Sequence, residues 1–100
     1  MSKNIGFIGG GAMATGIIKG ILSANTLTAE EIYVKELLPE RQVYLKETYG
    51  LQLADSLKEL AEKAKVLVLA VRPQDAEKVA KELSEVITPD HVLVSICAGI

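Results

Sequence analysis

The residue spacing with the clearest chemical meaning is a glycine-rich run directly after the first apolar segment. It has the pattern G-x-G-x-x-A and consists of Gly9, Gly10, Gly11, Ala12, Met13 and Ala14. In this pattern the first glycine makes a tight turn, the second lets a pyrophosphate approach the backbone because it lacks a Cβ, and the small third residue lets a helix pack closely on a strand. The N–H groups and the dipole of the following helix would stabilise the phosphates. The run therefore predicts a dinucleotide site, and a glycine turn that only reverses the chain is the alternative.

The later glycines do not form a second phosphate loop. Gly11 and Gly16 have the gap of a Walker-type loop, but Ile17 follows where that loop requires lysine. Gly16 and Gly20 continue a four-residue spacing from Ala12 in a helix, where each costs about 1 kcal/mol relative to alanine. We interpret both as positions where the helix packs closely on the sheet.

An acidic residue lies where a dinucleotide site would use one. Glu36 ends the second predicted strand, 22 residues after Ala14 (36 − 14). A carboxylate at about this distance binds the adenosine ribose hydroxyls. It also repels a 2′-phosphate by about 1–4 kcal/mol at contact distance, which favours NAD over NADP. Lys35 and Arg41 are cations that could turn toward a phosphate, and a solvated Lys–Glu pair is the non-functional alternative.

Two further segments border the predicted site. The loop after the most apolar strand consists of Ala70, Val71, Arg72 and Pro73. Its backbone should face the cofactor, and Arg72 is either a cofactor contact or a solvated loop charge. Ser56 is an N-cap with Glu59 three residues later, the spacing of a capping box, and a ribose contact by Ser56 is a secondary possibility.

Strand-like and helix-like segments alternate along the chain. The predicted strands are Lys3–Ile8, Glu31–Val34, Leu51–Leu53, Val66–Val71 and Val92–Ile96. The predicted helices are Ala12–Ser23, Pro39–Tyr49, a helix that begins after Ser56, and Gln74–Val86. This alternation predicts an α/β, Rossmann-like doubly wound parallel sheet in the order 3-2-1-4-5, with helices on both faces. Its switch point between strands 1 and 4 would bring the glycine run and the Arg72 loop together.

The apolar residues of the predicted helices are expected to pack on this sheet. In the first helix they are Met13, Ile17, Ile18, Ile21 and Leu22; in the second they are Val43, Tyr44 and Leu45; in the last they are Ala76, Val79, Ala80 and Leu83.

The composition limits the remaining function classes. One hundred residues, 49% hydrophobic and 24% charged, are typical of one globular domain. The net charge of −2 provides no basic field for nucleic acid or a membrane surface. A single cysteine, Cys97, excludes an intrachain disulfide, and with no targeting segment we expect a cytoplasmic protein. Cys97 and the single His91 leave no zinc cluster; we expect Cys97 to be a packing residue and His91 to be exposed after a turn.

Three blocks together resemble pyrroline-5-carboxylate reductase. They are residues 5–14 around the glycine run, residues 69–74 around Arg72, and residues 94–100, which include Cys97, Ala98 and Gly99. The resemblance implies reduction of 1-pyrroline-5-carboxylate to L-proline by hydride transfer from NADPH or NADH. It also implies that Ile8–Met13 hold the pyrophosphate, that Glu36 binds the adenosine ribose, and that Ala70–Pro73 and Cys97–Gly99 border the ribose and nicotinamide.

By this resemblance the whole chain corresponds to the family's N-terminal cofactor domain. The substrate pocket and oligomer interface would belong to a helical C-terminal domain absent from this sequence, so we expect the chain alone to bind dinucleotide weakly without turnover. The family often has a small polar residue at position 36 and a basic one at Leu37, and its usual lysine is replaced by Arg72. The alternatives are a deazaflavin-dependent NADP reductase, a β-hydroxyacid dehydrogenase, and a dinucleotide-binding module without catalysis.

Overall fold

Five short strands pair in parallel in a computed structural model, which describes residues 4–9 and 11–96 of the chain. They are β1 (Ile5–Ile8), β2 (Ile32–Lys35), β3 (Gln52–Leu53), β4 (Val66–Leu69) and β5 (Val92–Ser95). Their order is β3-β2-β1-β4-β5, so the predicted topology is confirmed. Ile8 lies in register with Lys35 on one side and with Leu69 on the other. The loops after β1, β2 and β4 therefore begin at the same edge of the sheet.

The helices that connect these strands begin where local residue chemistry predicts. They are α1 (Ala12–Ser23), α2 (Pro39–Tyr49), α3 (Leu57–Lys63) and α4 (Pro73–Leu83), and a short 3₁₀ turn covers Ala29–Glu31. A proline opens α2 and α4, where its missing N–H costs nothing. Gly50 ends α2 with φ of 72°, the left-handed conformation predicted for it. Helix α4 ends at Leu83, three residues before the predicted end.

The core has one layer on each face of the sheet. On one face, Ile18 of α1 and Leu45 of α2 pack on Phe7 and Val34, and all four are fully buried. On the other face, Leu60 of α3 and Leu83 of α4 are buried with Leu67. Right-handed crossovers require this division, because the chain moves outward through β2 and β3 and then back across the sheet to β4.

A glycine in β1 lets α3 approach the sheet closely. A Cβ added to Gly6 would lie 2.9 Å from Cδ1 of Leu60 and 3.0 Å from Cδ2 of Leu67. This role was not predicted from the sequence, because a glycine in a strand has no visible packing partner until the helix above it is placed.

The predicted apolar faces of the helices were too wide. Met13 and Ile17 of α1 are 47% and 38% exposed, and Val43 and Tyr44 of α2 are 53% and 39% exposed. Ala80 of α4 is also exposed. Each helix contacts the sheet along one narrow stripe, and successive residues are about 100° apart around a helix, so a neighbour of a buried residue turns toward solvent.

The interpretation of Gly16 and Gly20 as close-packing positions was wrong. Both are exposed, and a Cβ at either would meet nothing within 4 Å. Gly16 and Gly20 each lie two residues from the buried Ile18. Two residues correspond to a rotation of about 200° around the helix axis, so both glycines lie on the side of α1 opposite the sheet.

The cap of α3 and the environment of His91 also differ from expectation. Ser56 Oγ accepts a hydrogen bond from the Glu59 N–H as predicted, but Glu59 Oε1 accepts from the N–H of Asp55, not from that of Ser56. His91 is half-buried rather than exposed. Its Nδ1 accepts from the Thr88 N–H at 2.9 Å. Its Nε2 therefore carries the hydrogen and donates to the Ala61 carbonyl at 2.7 Å.

Replacing His91 tests this bridge between α3 and the turn before β5. We expect His91→Ala to lower the free energy of unfolding by about 1–3 kcal/mol, because two hydrogen bonds are lost at a half-buried position. Urea unfolding followed by circular dichroism measures the change. Asp90→Ala, an exposed position in the same turn, is the control and should change it by less than about 0.5 kcal/mol. Equal stability of the two variants would contradict the bridge.

Candidate dinucleotide-binding site

The carboxyl ends of β1, β2 and β4 open onto one crevice with a volume of about 800 Å³. Seven of the residues predicted for the site line it: Ile8, Gly9, Gly11, Glu36, Ala70, Val71 and Arg72. The predicted convergence of the glycine run and the Arg72 loop at the switch point is therefore present. Gly10, Cys97, Ala98 and Gly99, which were also predicted for the site, lie outside the described residues.

Gly9 joins the loops that follow three strands. Its N–H donates to the Lys35 carbonyl at 2.9 Å, and the Ala70 N–H donates to the Ile8 carbonyl at 2.9 Å. Gly9 has φ of 95°, and a Cβ on it would lie 2.5 Å from the carbonyl oxygen of Ala70. Both the backbone conformation and the available space therefore require glycine here, and the tight turn predicted for this residue is present.

Gly11 is not required by the packing of the protein. It is the N-cap of α1 with ordinary extended angles, and a Cβ on it would meet nothing within 4 Å. The first hydrogen bond of the helix runs from the Thr15 N–H to the Gly11 carbonyl at 2.9 Å. The N–H groups of residues 12–14 therefore have no carbonyl partner within the helix, and no side chain of residues 4–9 or 11–96 caps this end. These donors, with open space in front of them, fit a diphosphate group.

The other residues of the glycine motif have different surroundings. Ala14 is fully buried in the core against the sheet, so its small side chain serves helix packing, as expected for the third motif position. Met13 is 47% exposed. Thr15, one residue later, donates its hydroxyl to the Gly11 carbonyl at 2.8 Å and so reinforces the first turn.

The carboxylate of Glu36 lies at the junction of β2 and α2. Its Oε2 accepts from the Leu37 N–H at 2.8 Å and from the Leu38 N–H at 3.1 Å. The side-chain amide of Gln42 donates to the Glu36 carbonyl at 2.6 Å. Both the side-chain carboxylate and the main-chain carbonyl of Glu36 are therefore hydrogen-bonded. Glu36 borders the crevice together with Lys35.

Arg41, the other cation considered for a phosphate, lies against α1. Its Nη2 donates to Thr15 Oγ1 at 3.2 Å, and its guanidinium carbon is 4.8 Å from the centre of the Tyr44 ring. Tyr44 and Tyr49 meet edge to face, with their hydroxyl oxygens 3.3 Å apart. This hydrogen bond raises the pKa of Tyr49 above its ordinary value.

Ser56 and Arg72 have mainly local partners. Ser56 caps α3, and its neighbour Leu57 is the residue that reaches the crevice. Arg72 lines the crevice with a side chain that is 74% exposed, and its Nε lies 3.2 Å from Asp75 Oδ2. Pro73 is the first residue of α4.

One wall of the crevice was not predicted from the sequence. This wall comes from α3 and α4 and comprises Leu57, Asp75, Lys78, Val79 and Glu82. Asp75, Val79 and Glu82 follow the i, i+4, i+7 spacing of one helix face, which begins two residues after the predicted loop and was the available signal. Within the ranges 4–9 and 11–96, no group of three or more histidine, cysteine or acidic residues could hold a metal ion. No helix there is long and apolar enough to span a bilayer.

Replacing each of the two glycines with alanine separates their roles. We expect Gly9→Ala to lower the free energy of unfolding by about 2–5 kcal/mol, because the added Cβ overlaps the Ala70 carbonyl in a strained backbone conformation. Gly11→Ala should cost about 1 kcal/mol or less, as for a modest change at an N-cap. Urea unfolding measures both, and a larger loss for Gly11→Ala would show that the assignment is reversed.

Comparison with known proteins extends these observations. The chain matches the family described as "NADP oxidoreductase coenzyme F420-dependent" over residues 4–99. Pyrroline-5-carboxylate reductase of Escherichia coli (strain K12) is 33% identical over 100 residues, which are 100% of this chain and 37% of that protein. Pyrroline-5-carboxylate reductase 1 of Bacillus subtilis (strain 168) is 37% identical over 99 residues, covering 98% of this chain and 33% of that protein.

Solved structures agree with this similarity. A pyrroline-5-carboxylate reductase from Coxiella burnetii has a TM-score of 0.87 at 31% identity, covering 99% of this chain and 37% of that one. The Plasmodium falciparum pyrroline carboxylate reductase, described with NADP bound, has a TM-score of 0.79 at 28% identity and covers 97% and 34%.

The predicted resemblance is confirmed along the whole chain, which spans about a third of the length of these relatives. The description of the matching family names the deazaflavin-linked alternative considered from the sequence, whereas the relatives carry the name of the reductase predicted first. Its motif, its sheet order and these matches together show that the chain belongs to the family of coenzyme F420-dependent NADP oxidoreductases and is similar, over nearly all of its residues, to the N-terminal part of pyrroline-5-carboxylate reductases.

Proposed function

We propose that this chain is the cofactor-binding part of an enzyme that reduces 1-pyrroline-5-carboxylate to L-proline with NADPH or NADH. The observation that carries the proposal is the whole-chain similarity to pyrroline-5-carboxylate reductases, two of them 33% and 37% identical. The glycine turn at the crevice supports it, because it has the donors and the space that a dinucleotide needs.

The proposed contacts follow from the crevice geometry. The backbone at Gly9 and Gly11 and the first N–H groups of α1 hold the pyrophosphate, and Glu36 faces the adenosine ribose. The loop from Ala70 to Arg72 borders the ribose and nicotinamide from the opposite strand. A nicotinamide held there would supply the hydride that reduces the carbon of a C=N bond, whose nitrogen would take a proton. The part of the chain described here binds and orients that cofactor.

In this proposal, the residues that bind the substrate belong to other parts of the enzyme. The relatives extend well beyond the matched region, and the aligned segment is about a third of their length. The pocket for 1-pyrroline-5-carboxylate, the proton donor and the contacts of a homo-oligomer would come from a further helical domain, as the sequence resemblance implies.

A second candidate follows from the description of the matching family. A coenzyme F420-dependent NADP oxidoreductase transfers hydride between a deazaflavin and NADP, and it would use the same crevice for NADP. Parallel assays of the whole protein decide between the two. NADH or NADPH oxidation that depends on 1-pyrroline-5-carboxylate supports the proposal, and reduction of NADP that depends on reduced coenzyme F420 supports the second candidate.

Binding by this chain tests the site directly. We expect Gly11→Val to weaken binding of NADH and NADPH at least tenfold in calorimetric titration, because a branched side chain would fill the space in front of the α1 donors. Gly20→Ala, which also adds carbon to an exposed glycine of α1, is the control and should bind as the unmodified chain does. Equal affinity in all three proteins would remove the pyrophosphate site from this turn.

A further inference from the structure

Glu36 lies at the end of the crevice proposed for adenosine. A ribose with a 2′-phosphate would need hydrogen-bond donors at that position, not a carboxylate. Two successive N–H groups at the entrance of a helix are the donors that an anion uses. Here Oε2 of Glu36 already accepts from both, at 2.8 Å from Leu37 N and 3.1 Å from Leu38 N. An incoming 2′-phosphate would have to displace a carboxylate that is hydrogen-bonded at both donors and carries the same sign of charge.

The peptide that carries this acid is itself anchored. The Gln42 side chain donates to the Glu36 carbonyl at 2.6 Å, and the N–H groups of Arg41 and Gln42 both donate to the Leu38 carbonyl at 3.0 Å. If a phosphate displaced the carboxylate, the two N–H donors would stay in position. The carboxylate of Glu36 would still lie close to the phosphate and repel it. A ribose diol has the opposite requirement, since its hydroxyls donate to a carboxylate.

Arg41 is held by one partner on α1 and by an aromatic ring on its own helix. Arg41 donates to Thr15 of α1 and stacks on Tyr44. Lys35 lines the crevice together with Glu36, but its single ammonium lacks the planar two-pronged geometry that arginine offers to phosphate.

We propose that the locked carboxylate of Glu36 makes this site selective for dinucleotides with an unphosphorylated ribose, NADH rather than NADPH. The inference rests on the proposed function and deepens it by naming the cofactor. The description of the matching family and that of the Plasmodium falciparum relative both name NADP. The cofactor inferred for this chain differs from theirs because it is decided by this chain's own Glu36.

A pair of probes that differ only in the phosphate tests the selectivity. ADP-ribose and 2′-phospho-ADP-ribose are titrated by calorimetry into the chain and its variants. The unmodified chain should bind ADP-ribose at least tenfold more tightly than the phosphorylated probe. Glu36→Gln keeps an oxygen that can accept from Leu37 and Leu38 but removes the charge, and it should reduce this preference at least fivefold.

A shorter replacement tests the two donors separately from the charge. Glu36→Ser cannot span both N–H groups, so it exposes them, and it should bind 2′-phospho-ADP-ribose several-fold more tightly than Glu36→Gln does. Arg41→Met is the matched control on the neighbouring helix, and it should leave the ratio of the two dissociation constants within twofold of the unmodified chain.

The outcomes separate this inference from the proposed function. Equal binding of both probes by the unmodified chain, or a preference that survives Glu36→Gln and Glu36→Ser, would overturn the selectivity and leave the dinucleotide site intact. A specific loss of the phosphorylated probe in Arg41→Met would also overturn it, because Arg41 would then be the phosphate ligand. Binding of neither probe would overturn the proposed function and the selectivity together.

Discussion

The close approach of Gly9 to the Ala70 carbonyl is the constraint on which the rest of the site depends. A Cβ at Gly9 would lie 2.5 Å from that oxygen, so only a residue without a side chain lets the loops after β1 and β4 meet. Two backbone hydrogen bonds, Gly9 to Lys35 and Ala70 to Ile8, carry the parallel pairing just past the ends of the strands. Main-chain hydrogen bonds thereby join three loops at one edge of the sheet.

This arrangement divides the glycine motif into one structural and one open position. Gly9 is enclosed by protein, whereas Gly11 faces space that the protein does not fill. Because α1 begins at the next residue, the N–H groups of its first turn have no carbonyl partner within the helix and lie next to that space. Ala14 is fully buried and seats the helix on the sheet. The three small residues of the motif therefore have three different roles. Gly9 lets two loops meet, Gly11 leaves open space at the start of α1, and Ala14 packs the helix on the sheet.

The Glu36 side of the crevice shows how local hydrogen bonds orient charged side chains. Glu36 is oriented by the N–H groups that follow it, and Arg41 is oriented by α1 and an aromatic ring. Neither orientation is visible in the residue types alone, since Glu36, Arg41 and Lys35 could pair with one another in many ways.

The sequence by itself determined the order of strands, the bounds of α1 and α2, the turn at Gly9 and the cap at Ser56. These features depend on short-range chemistry: apolar runs, a proline at a helix start, and backbone conformations open to glycine. The handedness of crossovers then leaves few ways to arrange five strands. Only the tertiary structure decided that Gly16 and Gly20 face away from the sheet, that His91 bridges Ala61 and Thr88, and that α4 forms a wall of the crevice. Each of these depends on which residue lies opposite across the fold, and sequence spacing carries no direct signal of a partner 30 positions away, as Ala61 is from His91.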